Sequence, residues 1–160
     1  MEGGQLNIPF TILNNSKELR EDERLLLNFA KEAWKNAYAP FSDFLVGCAL
    51  LLENGEQLFG SNQENKAFPS GICAERAALF HAGSLGKGKL IQKIAITAKS
   101  LNRIVNQPVT PCGACRQVML EYEQMAGRPF IILMQGEEGP ILRLEGVAQS
   151  LLPFGFDIDF

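Results

Sequence analysis

The sequence predicts an α/β domain, a sheet with helices on its faces. Strand-like apolar runs alternate with segments of helical apolar spacing along the whole chain. The length, 160 residues, suits one domain. A chain of that length buries roughly 70% of its unfolded surface and needs no staples to hold a core. With 46% apolar and 21% charged residues, the composition is that of a folded globular chain. Disorder is excluded for most of it.

The elements follow in order. Residues 1–15 read as a polar N-terminal arm and residues 16–160 as the folded domain. Asn15 to Ala39 reads as a helix, with Asn15 and Glu18 as a capping pair. Leu26, Phe29, Ala30, Ala33 and Ala37 keep the helical apolar spacing, and Pro40 stops it. Phe44 to Leu52 is apolar without polar alternation, which predicts a buried strand. Asn54-Gly55 is a hairpin signal and leads to a strand near 57–60. Residues 61–72 are rich in turn formers. A second helix is predicted over 73–82, ended by Gly83, Gly86 and Gly88. Leu90 to Ala98 reads as a strand. Thr110 and Pro111 suit the cap and first position of a third helix over 112–122. Strands are predicted at 129–134 and 141–144, and a short helix over 147–152.

Charge and hydropathy exclude some functions. The net charge is −3, from 15 Lys+Arg against 18 Asp+Glu. Nucleic-acid backbones reward clustered positive charge, so no nucleic-acid partner is expected. The longest apolar run, Phe44 to Leu52, is far too short to span a bilayer, so no membrane partner is expected. Met1-Glu2-Gly3-Gly4 shows no basic stretch followed by an apolar one, which makes a cytoplasmic location the expectation.

The four cysteines carry the chemistry: Cys48, Cys73, Cys112 and Cys115. Disulfides are disfavoured in a reducing compartment. Cys112 and Cys115 form a C-x-x-C, and Cys73 lies in a similar setting. His81 is the sole histidine, so a zinc site here would be mostly sulfur. Cys73 and Cys112 fall where helices are predicted to start. Helix N-termini favour thiolates, the form that binds metal. Three thiolates leave a fourth position open for water, as in catalytic zinc sites. Cys48 lies mid-strand and is assigned to the core. Glu75, two residues after Cys73, can reach the metal's surroundings without ligating it. There a carboxylate can move protons between water and substrate.

Cys73-Ala74-Glu75 with Pro111-Cys112-Gly113-Ala114-Cys115 fills both halves of the zinc nucleobase deaminase signature. Tyr38-Ala39-Pro40-Phe41-Ser42, Val46-Gly47, Asn62-Gln63-Glu64-Asn65, Pro69 and Gly71-Ile72 extend the likeness. The chain resembles the small homotetrameric cytidine deaminases with three zinc cysteines, roughly from Ala30 to Phe156. The resemblance implies a three-layer α/β/α domain with a mixed five-stranded sheet. It implies one zinc per chain on Cys73, Cys112 and Cys115, with Glu75 catalytic. It implies that Arg76 hydrogen-bonds the cysteine sulfurs and offsets their charge. Asn62 and Glu64 would hold the sugar hydroxyls, Phe44 would pack on the pyrimidine, and the Ala74 N–H would contact the base. The implied assembly is a homotetramer with shared active sites, in which Phe156 closes a neighbour's pocket and Phe154 is the alternative. Gln63 and Lys66 depart from the family pattern, which usually has an apolar and a small residue there.

The expected activity is zinc-dependent hydrolysis of the 4-amino group of free cytidine and 2′-deoxycytidine in pyrimidine salvage. Two alternatives stand beside it. One is a deaminase of another cytosine-containing molecule, either a nucleic-acid editor or an antibiotic deaminase. The other is a non-catalytic zinc-stabilised binding domain. Taken singly, Glu75 and Arg76 read as solvated helix charges, Asn62 and Glu64 as turn residues, and Phe154, Phe156 and Phe160 as apolar plugs.

Overall fold

The computed structural model describes residues 3–157. Six strands form one sheet, in the order β1-β6-β5-β4-β2-β3. They are β1 (Thr11–Leu13), β2 (Phe44–Leu52), β3 (Gln57–Ser61), β4 (Ile91–Ser100), β5 (Ile131–Gln135) and β6 (Ile141–Glu145). The helices are α1 (Glu21–Ala33), α2 (Ala74–Ser84), α3 (Gly113–Ala126) and α4 (Val147–Ser150). β4 and β5 pair in parallel and every other neighbouring pair is antiparallel, so the sheet is mixed.

Alternation along β2 divides the core into two layers. Cys48, Leu50 and Leu52 face α2 and α3, packing with Ala78, Leu79, Met119 and Leu120. Ala49 and Leu51 face α1, packing with Leu26, Leu27 and Ala30. The three layers are therefore α1, the sheet, and the α2–α3–α4 side. The expected burial of Cys48 is met: it is fully enclosed.

All five expected strands are present, and a sixth joins them. Thr11–Leu13 pairs antiparallel with β6, Leu13 opposite Ile141, so the segment read as an arm ends in an edge strand. The Asn15–Glu18 capping box also forms, but it caps one 3₁₀ turn, Ser16–Glu18. Leu19 is extended and buried, which interrupts the helix there. α1 restarts at Glu21, where the buried Glu23 carboxylate takes hydrogen bonds from Arg20 and from Arg143 of β6. The regular helix ends at Ala33, one 3₁₀ turn follows, and Ala37 is extended. The cap of α3 is Cys112, not Thr110, and the helix runs on to Ala126.

Strand direction places the two cysteine-bearing helices together. β3 and β4 both run antiparallel to β2, so they point the same way. α2 follows β3 and α3 follows β4, and both helices therefore begin at one edge of the sheet. Ligands of α/β sheets gather at the carboxyl ends of strands.

Glycine makes that placement possible. A Cβ on Gly60 would lie 2.4 Å from the Ala78 nitrogen and 2.6 Å from the Ala74 oxygen. Only a strand without a side chain there lets α2 approach so closely. Gly60→Ala is expected to push α2 off β3 and destabilise the fold by about 3 kcal/mol, the upper range for overpacking. Denaturant unfolding measures it; an unchanged midpoint would mean that α2 backs away freely.

Candidate active site

Cys73 is the N-cap residue of α2 and Cys112 that of α3, each extended just before its helix. Cys115 lies in the first turn of α3 and is buried. The three sulfurs lie within 4.8 Å of one another. Cys73 Sγ is 3.8 Å from Cys112 Sγ, which is 3.5 Å from Cys115 Sγ. A tetrahedral zinc with sulfur ligands at about 2.3 Å spaces those sulfurs about 3.8 Å apart. The donor set and spacing thus fit a thiophilic tetrahedral metal ion. Cys48 is not part of this cluster.

The electrostatics of the bare cluster point the same way. Cys115 donates to Cys73 and, with Arg76, pulls the Cys73 thiol down to about 5. That hydrogen bond, burial and the Glu75 charge push the Cys115 thiol up. The pair holds one negative charge, and a cation lets further thiols ionise. Arg76 Nη2 lies 3.8 Å from Cys73 Sγ, consistent with the expected charge-offsetting position.

A cavity of about 450 Å³ opens beside the cluster. Cys73, Cys112, Ala74 and Glu75 line it on the side of the thiols. Glu75 is the second residue of α2 and 5% exposed. Burial raises its carboxyl above the ordinary value. Phe44, at the start of β2, also lines the cavity, as do Asn62 and Glu64 just past β3. The Asn62 amide is fixed in place: Oδ1 accepts from Val46 N–H at 2.7 Å, and Nδ2 donates to the Phe44 carbonyl at 2.9 Å. One amide hydrogen and one lone pair are left over. Glu64 accepts from the Phe41 N–H at 2.8 Å. The Ser42 hydroxyl and that N–H hold its carboxyl below the usual range.

The structure thus brings together nine of the ten expected site residues: Cys73, Cys112, Cys115, Glu75, Ala74, Arg76, Phe44, Asn62 and Glu64. Phe156 is apart from them, exposed and outside this chain's cavity. Its backbone is clipped to α3, where Gln117 Nε2 donates to its carbonyl and Gln117 Oε1 accepts from its N–H. Phe160 lies outside the described residues. Sequence reasoning missed several walls of the cavity. Phe41 and Phe68 meet edge to face with centroids 5.6 Å apart, and Ile72, Val109 and Thr110 are among the other lining residues. An aromatic inside the Pro69-Ser70-Gly71 turn region was the available signal for Phe68.

Residues 20–127 match the cytidine and deoxycytidylate deaminase zinc-binding region. The chain belongs to this deaminase family. It is 40% identical over 135 residues to the cytidine deaminase of Halalkalibacterium halodurans, covering 84% of this chain and 94% of that one. It is 43% identical over 101 residues to the cytidine deaminase of Sporosarcina psychrophila, covering 63% and 70%. The crystal structure of cytidine deaminase from Burkholderia pseudomallei superposes with a TM-score of 0.70 at 34% identity, over 82% of this chain and 97% of that chain. That of Mycobacterium tuberculosis superposes at 0.66 with 28% identity, over 87% and 100%. Deaminase family membership makes the chain an enzyme and removes the non-catalytic alternative. Among the described residues no helix is long and apolar enough to cross a membrane.

Proposed function

We propose that the protein hydrolyses free cytidine and 2′-deoxycytidine at C4, giving uridine or 2′-deoxyuridine and ammonia, in pyrimidine salvage in the cytoplasm. Residues 16–160, together with the edge strand β1 (Thr11–Leu13) that completes their sheet, form the catalytic domain. The observation that carries this reading is the buried Glu75 carboxylate, which lines one cavity with two cysteines of the three-thiol cluster and with Asn62 and Glu64.

Cys73, Cys112 and Cys115 would hold one zinc ion. Bound there, zinc supplies Lewis acidity and lowers the pKa of a water at its open position. Glu75 takes a proton from the attacking water and delivers it to N3 of the pyrimidine. Once the hydroxyl has added at C4, the same carboxylate takes that hydroxyl's proton and hands it to the amine, which departs as ammonia while the C4 carbonyl forms. One group performing successive transfers must be close and shielded, and Glu75 is both. The Ala74 N–H, free at the first turn of α2, contacts the base. Phe44 packs on the pyrimidine face. Asn62 and Glu64 take the sugar hydroxyls with their spare donor and acceptor positions. Arg76 offsets the negative charge of the thiolates.

The test is an absorbance assay with cytidine, deoxycytidine, cytosine and a cytosine-containing oligonucleotide. Turnover is expected for the two nucleosides and at least about tenfold weaker kcat/KM for the base, which lacks the sugar contacts. Equal turnover of the oligonucleotide would replace this reading with the editing alternative.

The working assembly in this reading is a homotetramer with shared sites, and Phe156 closes a neighbour's pocket. Support comes from its exposure, its absence from its own cavity, and the Gln117 clip that fixes its trajectory. An aromatic against a base contributes about 0.5–1.5 kcal/mol beyond its buried area. Phe156→Ala should lower kcat/KM about tenfold or more. Co-expressing Phe156→Ala chains with Glu75→Ala chains should restore low-KM activity, because some pockets then combine both intact groups. If confirmed mixed oligomers show only the sum of the parents, Phe156 serves its own chain.

A further inference from the structure

The base side and the sugar side of the cavity are joined by one hydroxyl. Ser42 Oγ donates to Glu64 Oε1 and accepts from the Phe44 N–H at 3.2 Å. Two more donors of the same turn reach the other carboxylate oxygen. The Phe41 N–H lies 2.8 Å and the Ser42 N–H 3.3 Å from Glu64 Oε2. A carboxylate offers about four acceptor positions. Three are occupied by the 41–42 turn, and the one left on Oε1 is all that remains for a ligand hydroxyl.

The turn itself needs holding. Asp43 has a φ of +54°, in the left-handed region that non-glycine residues rarely adopt. Its carbonyl accepts from the Leu101 N–H at 3.0 Å and its own N–H donates to the Ala39 carbonyl at 3.1 Å. Asn102 Nδ2 donates to its carboxylate at 3.3 Å. The far side of the turn is thus anchored to the end of β4. Its near side is fastened by the Glu64 carboxylate and the Ser42 hydroxyl.

We infer that Ser42 is a positioning residue that locks Phe44 and Glu64 into one unit, aiming the single free Glu64 acceptor position at a sugar hydroxyl. Ser42 touches no substrate in this arrangement. It acts through Glu64, and its influence falls on binding. Without it Oε1 gains a second open position, and the carboxylate turns between them. The inference rests on the sugar-binding reading of Glu64 given above.

The experiment uses full-length, metal-loaded enzyme and steady-state kinetics with cytidine. Ser42→Ala should raise KM about five- to tenfold, as expected for one exposed hydrogen bond to a charged acceptor, with kcat within about twofold of wild type. Ser42→Thr keeps the hydroxyl at an exposed position and should restore KM. Glu64→Ala combined with Ser42→Ala should match Glu64→Ala alone within about twofold, since the second change removes a contact already lost. Multiplying effects, a fall in kcat at constant KM, or a Ser42→Thr variant as weak as Ser42→Ala would each overturn the inference. A nucleoside lacking the 2′- and 3′-hydroxyls separates the two claims. If Glu64→Ala costs as much with it as with cytidine, the sugar reading of Glu64 fails. Non-additivity of Ser42 and Glu64 with cytidine would then still uphold the lock between them.

Discussion

Glu75→Ala is expected to lower kcat by about 10⁴-fold or more while the metal content stays at about one equivalent per chain. General acid–base catalysis by a single transfer contributes about 10²–10⁴-fold. Here one carboxylate is assigned several transfers, which places the loss at or beyond the upper end. Glu75→Gln should fall about as far, because the amide keeps the shape and cannot carry a proton. Stability should move the other way. Burial raises the Glu75 carboxyl above its ordinary value, so ionising it costs more in the folded chain than in the unfolded one. A raised carboxyl pKa makes the charge a burden on folding at every pH above the unfolded value. Replacing it at neutral pH should therefore leave the melting temperature of the metal-free protein unchanged or higher. Such a gain is the usual sign of a residue kept for function. A Glu75→Ala enzyme with a tenth of the wild-type kcat would remove this carboxylate from the reaction.

The parts of this molecule that were legible in its sequence are those fixed by neighbouring residues. Phe44 to Leu52 is apolar throughout because both faces of β2 are covered, and the strand has those very ends. Asn54-Gly55 makes its turn locally. The three-thiol cluster was legible because thiol chemistry and a helix cap are both written in three or four residues. What was missed depends on distant partners. β1 is three residues long, and its partner β6 lies more than a hundred residues away. The Asn15–Glu18 box forms as expected, yet the burial of Leu19 decides that it caps a single turn. Thr110 has the chemistry of a cap, but the loop turns it to the cavity and leaves the cap to Cys112. The same holds for the cavity walls. Phe68 and Val109 belong to the site only because two loops close on it; the turn beside Phe68 is the one local hint, and no local pattern marks Val109. Glu64 was assigned to the sugar, but three of its contacts are to the 41–42 turn, which is 22 or 23 residues away.

Cys112→Ser is expected to empty the metal site, and Cys48→Ser to leave it filled. Both cysteines lie on the α2–α3 side of the molecule, Cys48 in β2 and Cys112 at the cap of α3, yet their surroundings differ. Cys112 is exposed at the cavity, 3.8 Å from one partner sulfur and 3.5 Å from the other. Cys48 is fully enclosed among apolar residues of the core, where burial, and then the Glu75 charge, push its thiol well above the ordinary value. A thiol held protonated is a poor ligand. In the proposed centre, losing Cys112 would remove one of three protein ligands and leave two positions without protein. In the remaining pair the Cys115 hydrogen bond still favours the Cys73 thiolate and holds the Cys115 thiol up. A metal held by these cysteines would tie together the starts of α2 and α3, so its loss should also lower the melting temperature. Binding stabilises by RT ln(1 + [L]/Kd), about 4 kcal/mol at a thousandfold excess over Kd, and that contribution goes with the ion. Cys48→Ser should instead cost about 1–3 kcal/mol for an unpaired hydroxyl in the core, with the metal equivalent intact. Elemental analysis alongside thermal unfolding distinguishes the two. If Cys48→Ser, still folded, loses its metal as completely as Cys112→Ser, the fourth position is filled by protein. The centre is then a four-cysteine structural one, and the assignment of Glu75 to a reacting water falls with it.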